Sequence, residues 1–208
     1  MAYPSVTAPY GLRPINSVDG KPYAGATRQL PIASTYNTPI FNGDIVALVD
    51  GGTIAVSGVT NDSTTSAANY TYGVFMGCQY VNAQGQTVQA QYYPGNAAAT
   101  SAIGYIVDDP MAAFQVAVVF ANSVVTTVNQ SIVGVNMAID QGTGSTITGN
   151  SGFGVLVATN DAGNAATLPV RAVSVIPETA TGTNAFTEVV VKLNNPQILR
   201  ATGLDYAA

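Results

Sequence analysis

The sequence predicts an all-β protein: a single antiparallel sandwich or barrel, jelly-roll-like, of about ten short strands behind an extended N-terminal arm. Three observations carry this. Short runs rich in Val, Ile, Tyr and Phe recur along the chain, bounded by Gly, Pro, Asn and Asp. The turn signals fall at intervals typical of sandwiches and barrels. No stretch has the three-turn amphipathic period of a surface helix, and no βαβ rhythm is present.

Taken in order, residues 1–30 read as the arm, 31–200 as the β domain and 201–208 as a short tail. The arm alternates proline with aromatics at Tyr3-Pro4, Pro9-Tyr10, Pro14 and Pro22-Tyr23. Proline fixes φ and pushes the preceding residue to extended geometry. Such an arm lies along its own domain, a neighbouring subunit or another protein, or is an ordinary disordered terminus. The domain is expected to stay folded when residues 1–25 are deleted.

Asp50-Gly51-Gly52 between the runs at 45–49 and 53–56 signals a hairpin. The polar stretch 57–71 is a surface loop. Residues 72–81 form a strand with an interrupting Gly77, a bulge signal. Gly85 turns the chain into 87–93, which Pro94-Gly95 ends. The runs 103–107 and 114–120, separated by Asp108-Asp109-Pro110, read as a central hairpin, because Asp bonds nearby backbone and Pro cannot donate to a ladder. Residues 121–133 are ambiguous between a short helix capped by Ser123 and a strand. Strands follow at 134–140, 154–159, 168–176 and 186–193, and Asn194-Asn195-Pro196 stops the last. No exact internal repeat is visible.

Only 8% of the residues are charged, against roughly 25% in an average soluble domain. A surface made of Asn, Gln, Ser, Thr and Gly repels little, so it associates readily with itself or a partner. The net charge is −5, and Arg13, Lys21, Arg28, Arg171, Lys192 and Arg200 form no cluster along the sequence. Nucleic acid is therefore not an expected partner. Nor is a membrane, since neither a basic amphipathic helix nor a long apolar run is present. The amino terminus has no secretory pattern, which points to synthesis in a cytoplasm.

Candidate chemistry is sparse. The chain has no His, which removes the commonest general base and metal ligand. Its one cysteine, Cys78, sits in an apolar strand and reads as a buried, inert thiol. Asp108 and Asp109 could ligate a cation, but turn chemistry accounts for them better. Asp109 and Glu188 are a weak carboxylate pair for glycoside hydrolysis. The Gly-rich 142–150 stretch lacks the lysine of a phosphate cradle. Glu188 and Lys192, four apart on one strand, share a face and could pair. The reading is of a non-enzyme with no metal or cofactor.

The segment order APYGLRPIN, GKPYAGATRQLPIA, NGDIVALVDGG, YGVFMGCQYV, YIVDDP, LPVRAVSVIPET and FTEVVVKLN resembles a family of structural proteins of marine and freshwater tailed bacteriophages. The resemblance spans residues 8 to about 194 and rests on segment order and composition. It implies a capsid decoration, or cement, protein on the outer surface of the virion. Its partners would be the major capsid protein and itself, commonly as a homotrimer. On that reading the arm is the anchor, with Tyr3, Pro4, Pro9, Tyr10, Arg13, Pro14, Tyr23 and Arg28 as contact residues, because tyrosine offers large contact area at low entropic cost. The alternatives are a neck- or tail-associated virion protein and a glycan-binding spike module, for which Tyr70, Tyr72, Tyr92 and Tyr93 are the candidate aromatics.

Overall fold

The computed structural model describes residues 8–60, 70–95, 101–120, 123–124, 128–156, 166–179 and 186–200. Tyr3, Pro4 and the tail at 201–208 lie outside them. Thirteen strands are described: β1 (Arg13–Ser17), β2 (Arg28–Ile32), β3 (Ile45–Val49), β4 (Thr53–Val56), β5 (Gly73–Val81), β6 (Thr87–Ala90), β7 (Ala102–Val107), β8 (Ala112–Phe120), β9 (Ser123–Val124), β10 (Asn136–Gly142), β11 (Gly152–Leu156), β12 (Val170–Ile176) and β13 (Glu188–Leu193). The protein is all-β, as the alternating apolar runs require.

The expected β-barrel architecture is present, but as two small barrels, each with one parallel pair, where a single antiparallel one was expected. In barrel 1, β2 runs parallel to β4, β4 pairs with β3, β3 with β5 and β5 with β7, and β7 returns to β2. In barrel 2, β8 runs parallel to β11, β11 pairs with β10, β10 with β12 and β12 with β13, and β13 returns to β8. Closure leaves no long open edge within either ring. β6 hangs on β5 outside the first ring, and β1 and β9 pair with β8 outside the second.

The two rings have one connectivity. In each, the first strand is parallel to the third, the second and third form a hairpin, and the fifth closes onto the first. They also share one register. Ile45↔Val74 corresponds to Asn136↔Arg171, and Phe75↔Ile106 to Ala172↔Val191. Leu30↔Gly104 corresponds to Val116↔Val189, and Ile32↔Ile54 to Val118↔Val155. Even the irregularity is repeated: the fourth strand slips one residue against the fifth between Phe75 and Gly77, and again between Ala172 and Ser174.

The entry to the second strand is repeated as well. Gly43 and Gly134 hold φ of 94° and 87°, a region that favours glycine. The Gly43 N–H donates to the Phe75 carbonyl at 2.8 Å, and Gly134 to Ala172 at 2.9 Å. The Phe75 N–H returns to Asp44 at 2.9 Å, and Ala172 to Val135 at 3.0 Å. The chain is thus a tandem of one barrel motif.

Alternation builds the interiors. Ile32, Val46, Ile54, Phe75 and Ile106 fill barrel 1. Phe114, Val116, Val118, Met137, Val155, Val189 and Val191 fill barrel 2. Ile45, Val74 and Val107 of barrel 1 belong to this second cluster, so barrel 1 packs one apolar row against barrel 2.

Two further expectations change. The runs at 103–107 and 114–120 do not form a hairpin: β7 belongs to barrel 1 and β8 to barrel 2. Both edges of β7 are taken by β2 and β5, so none is left for β8. Asp108 is held on the barrel 1 side by Arg28 and by the Tyr72 hydroxyl at 3.4 Å. Asp109 accepts the Met111 N–H at 2.8 Å and turns the chain across. Second, the described part of the arm lies along its own domain, the first of the open alternatives. Leu12 is fully buried and β1 pairs with β8, so deleting 1–25 removes part of the fold. The arm boundary at residue 30 also cuts through β2. The 121–133 region, left open between a short helix and a strand, contains β9 and a 3-10 turn at Gln130–Ile132 that the Asn129 side chain caps.

Candidate interaction surface

The corner where the chain crosses between barrels, 108–111, separates two grooves. The larger, about 630 Å³, lies between Met111, the ends of β12 and β13, and the segment 194–200. The smaller, about 330 Å³, lies between Met111 and the turn at 19–26. Met111 is 46% exposed and borders both. Leu199, 68% exposed, stands on the far rim of the larger groove. Val18, also exposed, donates its N–H to the Met111 carbonyl at 2.7 Å. Three large apolar side chains are thus left in water around one corner.

Charge gathers at the same place. Arg171, Lys192 and Arg200 line the larger groove, and no Asp or Glu is among the described residues that line it. These are three of the chain's six basic residues. The sequence scatters them; the β12–β13 pairing sets Arg171 opposite Lys192. Asn136, buried, accepts from Arg171 Nε at 2.8 Å and from Asn194 Nδ2 at 2.9 Å, which orients the guanidinium. The Arg200 guanidinium lies 4.0 Å from the Tyr70 ring centre, a cation–π contact. In the smaller groove Lys21 pairs with Asp19 at 2.7 Å, and that hydrogen bond holds the Asp19 carboxyl down at about 2.

The sequence-derived contact residues separate into groups. Tyr10 faces inward: it is buried, its hydroxyl donates to Glu188, and Arg13 lies 4.0 Å over its ring. Burial, and then the Glu188 bond, push the Tyr10 phenol well above its ordinary value. The ring therefore pins the N-terminal segment to barrel 2 and is not an outward anchor. Pro9 is half-buried. Pro14 is half-buried in β1, at its register irregularity against β8. Arg28 is spent on Asp108. Among the described residues of this set, Tyr23 alone lines a groove, the smaller one, with its hydroxyl on the Ala26 carbonyl at 3.3 Å. Sequence reasoning missed Met111, Leu199 and the Arg171–Lys192 pair.

The chemical candidates resolve physically. Glu188 is buried and accepts from Tyr10 and from Gln115 Nε2 at 2.8 Å. It therefore does not pair with Lys192 as expected, nor face solvent as half of a catalytic pair. Burial pushes the Cys78 thiol up to about 12, which keeps it protonated and unreactive. Among the described residues no group of three or more His, Cys, Asp or Glu is placed to hold a metal ion, and no helix is long and apolar enough to cross a membrane. Of the glycan-binding candidates, Tyr72 and Tyr93 are buried and Tyr92 stacks on Phe41 at 5.5 Å. Asp44, missed by sequence reasoning, is buried under Phe41, whose N–H it accepts at 2.7 Å; burial pushes its carboxyl up to about 6. No family model matches the chain, and no curated protein or solved structure matches it either.

Proposed function

We propose that the chain is a virion structural protein, a non-enzymatic decoration (cement) protein that binds the assembled head of a tailed bacteriophage and holds neighbouring major capsid subunits together. The observation that carries this reading is the Met111 corner: exposed apolar side chains and clustered cations on a body whose surface otherwise has few charges. The resemblance in segment order supports it from the sequence side. The docking surface moves from the arm to this corner, because Tyr10 and Leu12 are used inside the fold.

The mechanism is linkage. A composite site made by several shell subunits exists only in the assembled head, and a protein that binds that state alone stabilises it by mass action. Symmetry repeats each modest contact over the shell, and a homotrimeric form would engage three at once. The test is the copy number of the chain in purified particles, relative to the major capsid protein, by quantitative mass spectrometry. The reading expects on the order of hundreds of copies per particle, set by shell symmetry. A dozen or fewer would move the protein to the neck, tail or spikes, and absence from particles would end the virion reading.

A further inference from the structure

We propose that the larger groove receives a short acidic, extended segment of a partner protein, its carboxylates clamped by Arg171 and Lys192 and an apolar side chain seated between Met111 and Leu199. This deepens the decoration reading, and rests on it only for the partner's identity as a shell subunit.

In barrel 1 the cross-strand row Ile45–Val74–Val107 is apolar and packs against barrel 2. The row in the same register of barrel 2 is Asn136–Arg171–Lys192. The position that docks a neighbour in barrel 1 is thus kept in barrel 2, open and recoded from apolar to cationic. Recoding against a second apolar barrel explains polar residues there. It does not explain two cations directly opposite each other, which repel. No Asp or Glu is among the described residues that line the groove, and neither the Lys21–Asp19 nor the Arg28–Asp108 ion pair involves Arg171 or Lys192. Asn136 holds the guanidinium in place at 2.8 Å, so part of the ordering cost of a bidentate carboxylate contact is already met.

The occupant's chemistry follows from this geometry. Cross-strand side chains start ~5 Å apart, and alternate residues of an extended segment repeat at ~7 Å. Two carboxylates at i and i+2 lie within reach of the two long cations, while the exposed Met111 and Leu199 offer apolar contact. A shell segment with alternating acidic and apolar residues fits.

The test uses the full chain and a fluorescein-labelled Glu-Leu-Glu-Val-Glu peptide, followed by anisotropy at about 50 and about 300 mM salt. Saturable binding that weakens with salt is expected. Arg171→Gln and Lys192→Gln should each weaken it about tenfold, with unfolding midpoints unchanged. Lys21→Glu, outside the groove, should leave it unchanged. No saturable binding, or binding indifferent to both groove variants, would overturn the proposal. So would a poly-dT oligonucleotide binding tenfold tighter through the same residues, or a concentration-dependent dimer in sedimentation that Lys192→Gln abolishes. Copy number separates the two readings. Peptide binding without particle incorporation keeps the groove and removes the shell as its source. Full incorporation without peptide binding removes the groove and keeps the decoration reading.

Discussion

Barrel 1 and barrel 2 share strand order, register, bulge position and the glycine turn that opens the second strand, yet hardly any side chains. Among the matched strand positions named above, barrel 1 has Ile45, Val74 and Val107 where barrel 2 has Asn136, Arg171 and Lys192. Backbone hydrogen bonding and closure thus define the motif, while one row of side chains decides what its end does. Apolar, the row is an internal joint. Cationic, it is an open groove.

Exchanging the two rows should have the greatest consequence. Val74→Arg puts barrel 2's residue into a fully buried site, where an unpaired charge costs about 3–5 kcal/mol. Urea denaturation should show the loss of most of the stability. A wild-type midpoint would mean that the barrel 1 row is not the joint.

Next is Asp44, at the entry to β3, where barrel 2 has Val135. Its folded value, near 6 and above the ordinary 3.8, favours the protonated form. The associated stability is present below about pH 4 and lost as pH rises through 6, worth about 3 kcal/mol at most. Asp44→Asn should keep an acceptor for the Phe41 N–H and remove this contribution. The difference in unfolding free energy between variant and wild type, measured from pH 4 to 7, should grow in favour of the variant. Parallel profiles would show that Asp44 is charged in the folded protein without penalty.

The matched glycines differ in what surrounds them. A methyl on Gly43 would meet Gly11 Cα, Leu12 N and the Tyr10 carbonyl at 3.0 Å, whereas one on Gly134 meets nothing within 4 Å. Gly134→Ala should cost about 1 kcal/mol, from backbone strain alone. Gly43→Ala should cost at least twice that, since it adds a clash with the N-terminal segment. Equal costs in thermal unfolding would mean that this segment moves aside freely.

The smallest effect is on the groove itself. Lys192→Gln removes a like-charge neighbour from Arg171, so folding stability should be unchanged or rise by about a few tenths of a kcal/mol. A clear loss in urea denaturation would mean that Lys192 serves the fold.

What was legible in the sequence was local. The β3–β4 hairpin was read to the residue because Asp50-Gly51-Gly52 carries its own turn geometry. Gly77 marked the bulge because it interrupts an apolar strand. The sequence does not separate a β7–β8 hairpin from a crossover, because Asp108-Asp109-Pro110 looks the same whether the chain turns back or crosses over. The distant strands β2 and β5 decide that. β1 passed for an arm because Pro14 weakens its pattern, although it pairs at the irregular point of the ladder. The tandem stayed hidden because register is a backbone property and few matched side chains agree, such as Gln29 with Gln115 and Ala47 with Ala138. The groove stayed hidden because Arg171 and Lys192 meet only across a ladder.

The central claim is that the Met111 corner is the docking face. Methionine is converted to its sulfoxide wherever oxidant reaches it, and Met111 is 46% exposed in the isolated chain. Oxidative footprinting of the purified protein and of the protein in intact particles should therefore show Met111 oxidised in the first and protected in the second. Ile147, 95% exposed and away from both grooves, serves as the reference for oxidant access. Equal oxidation of Met111 in both samples, with the chain present in the particles, would contradict the account.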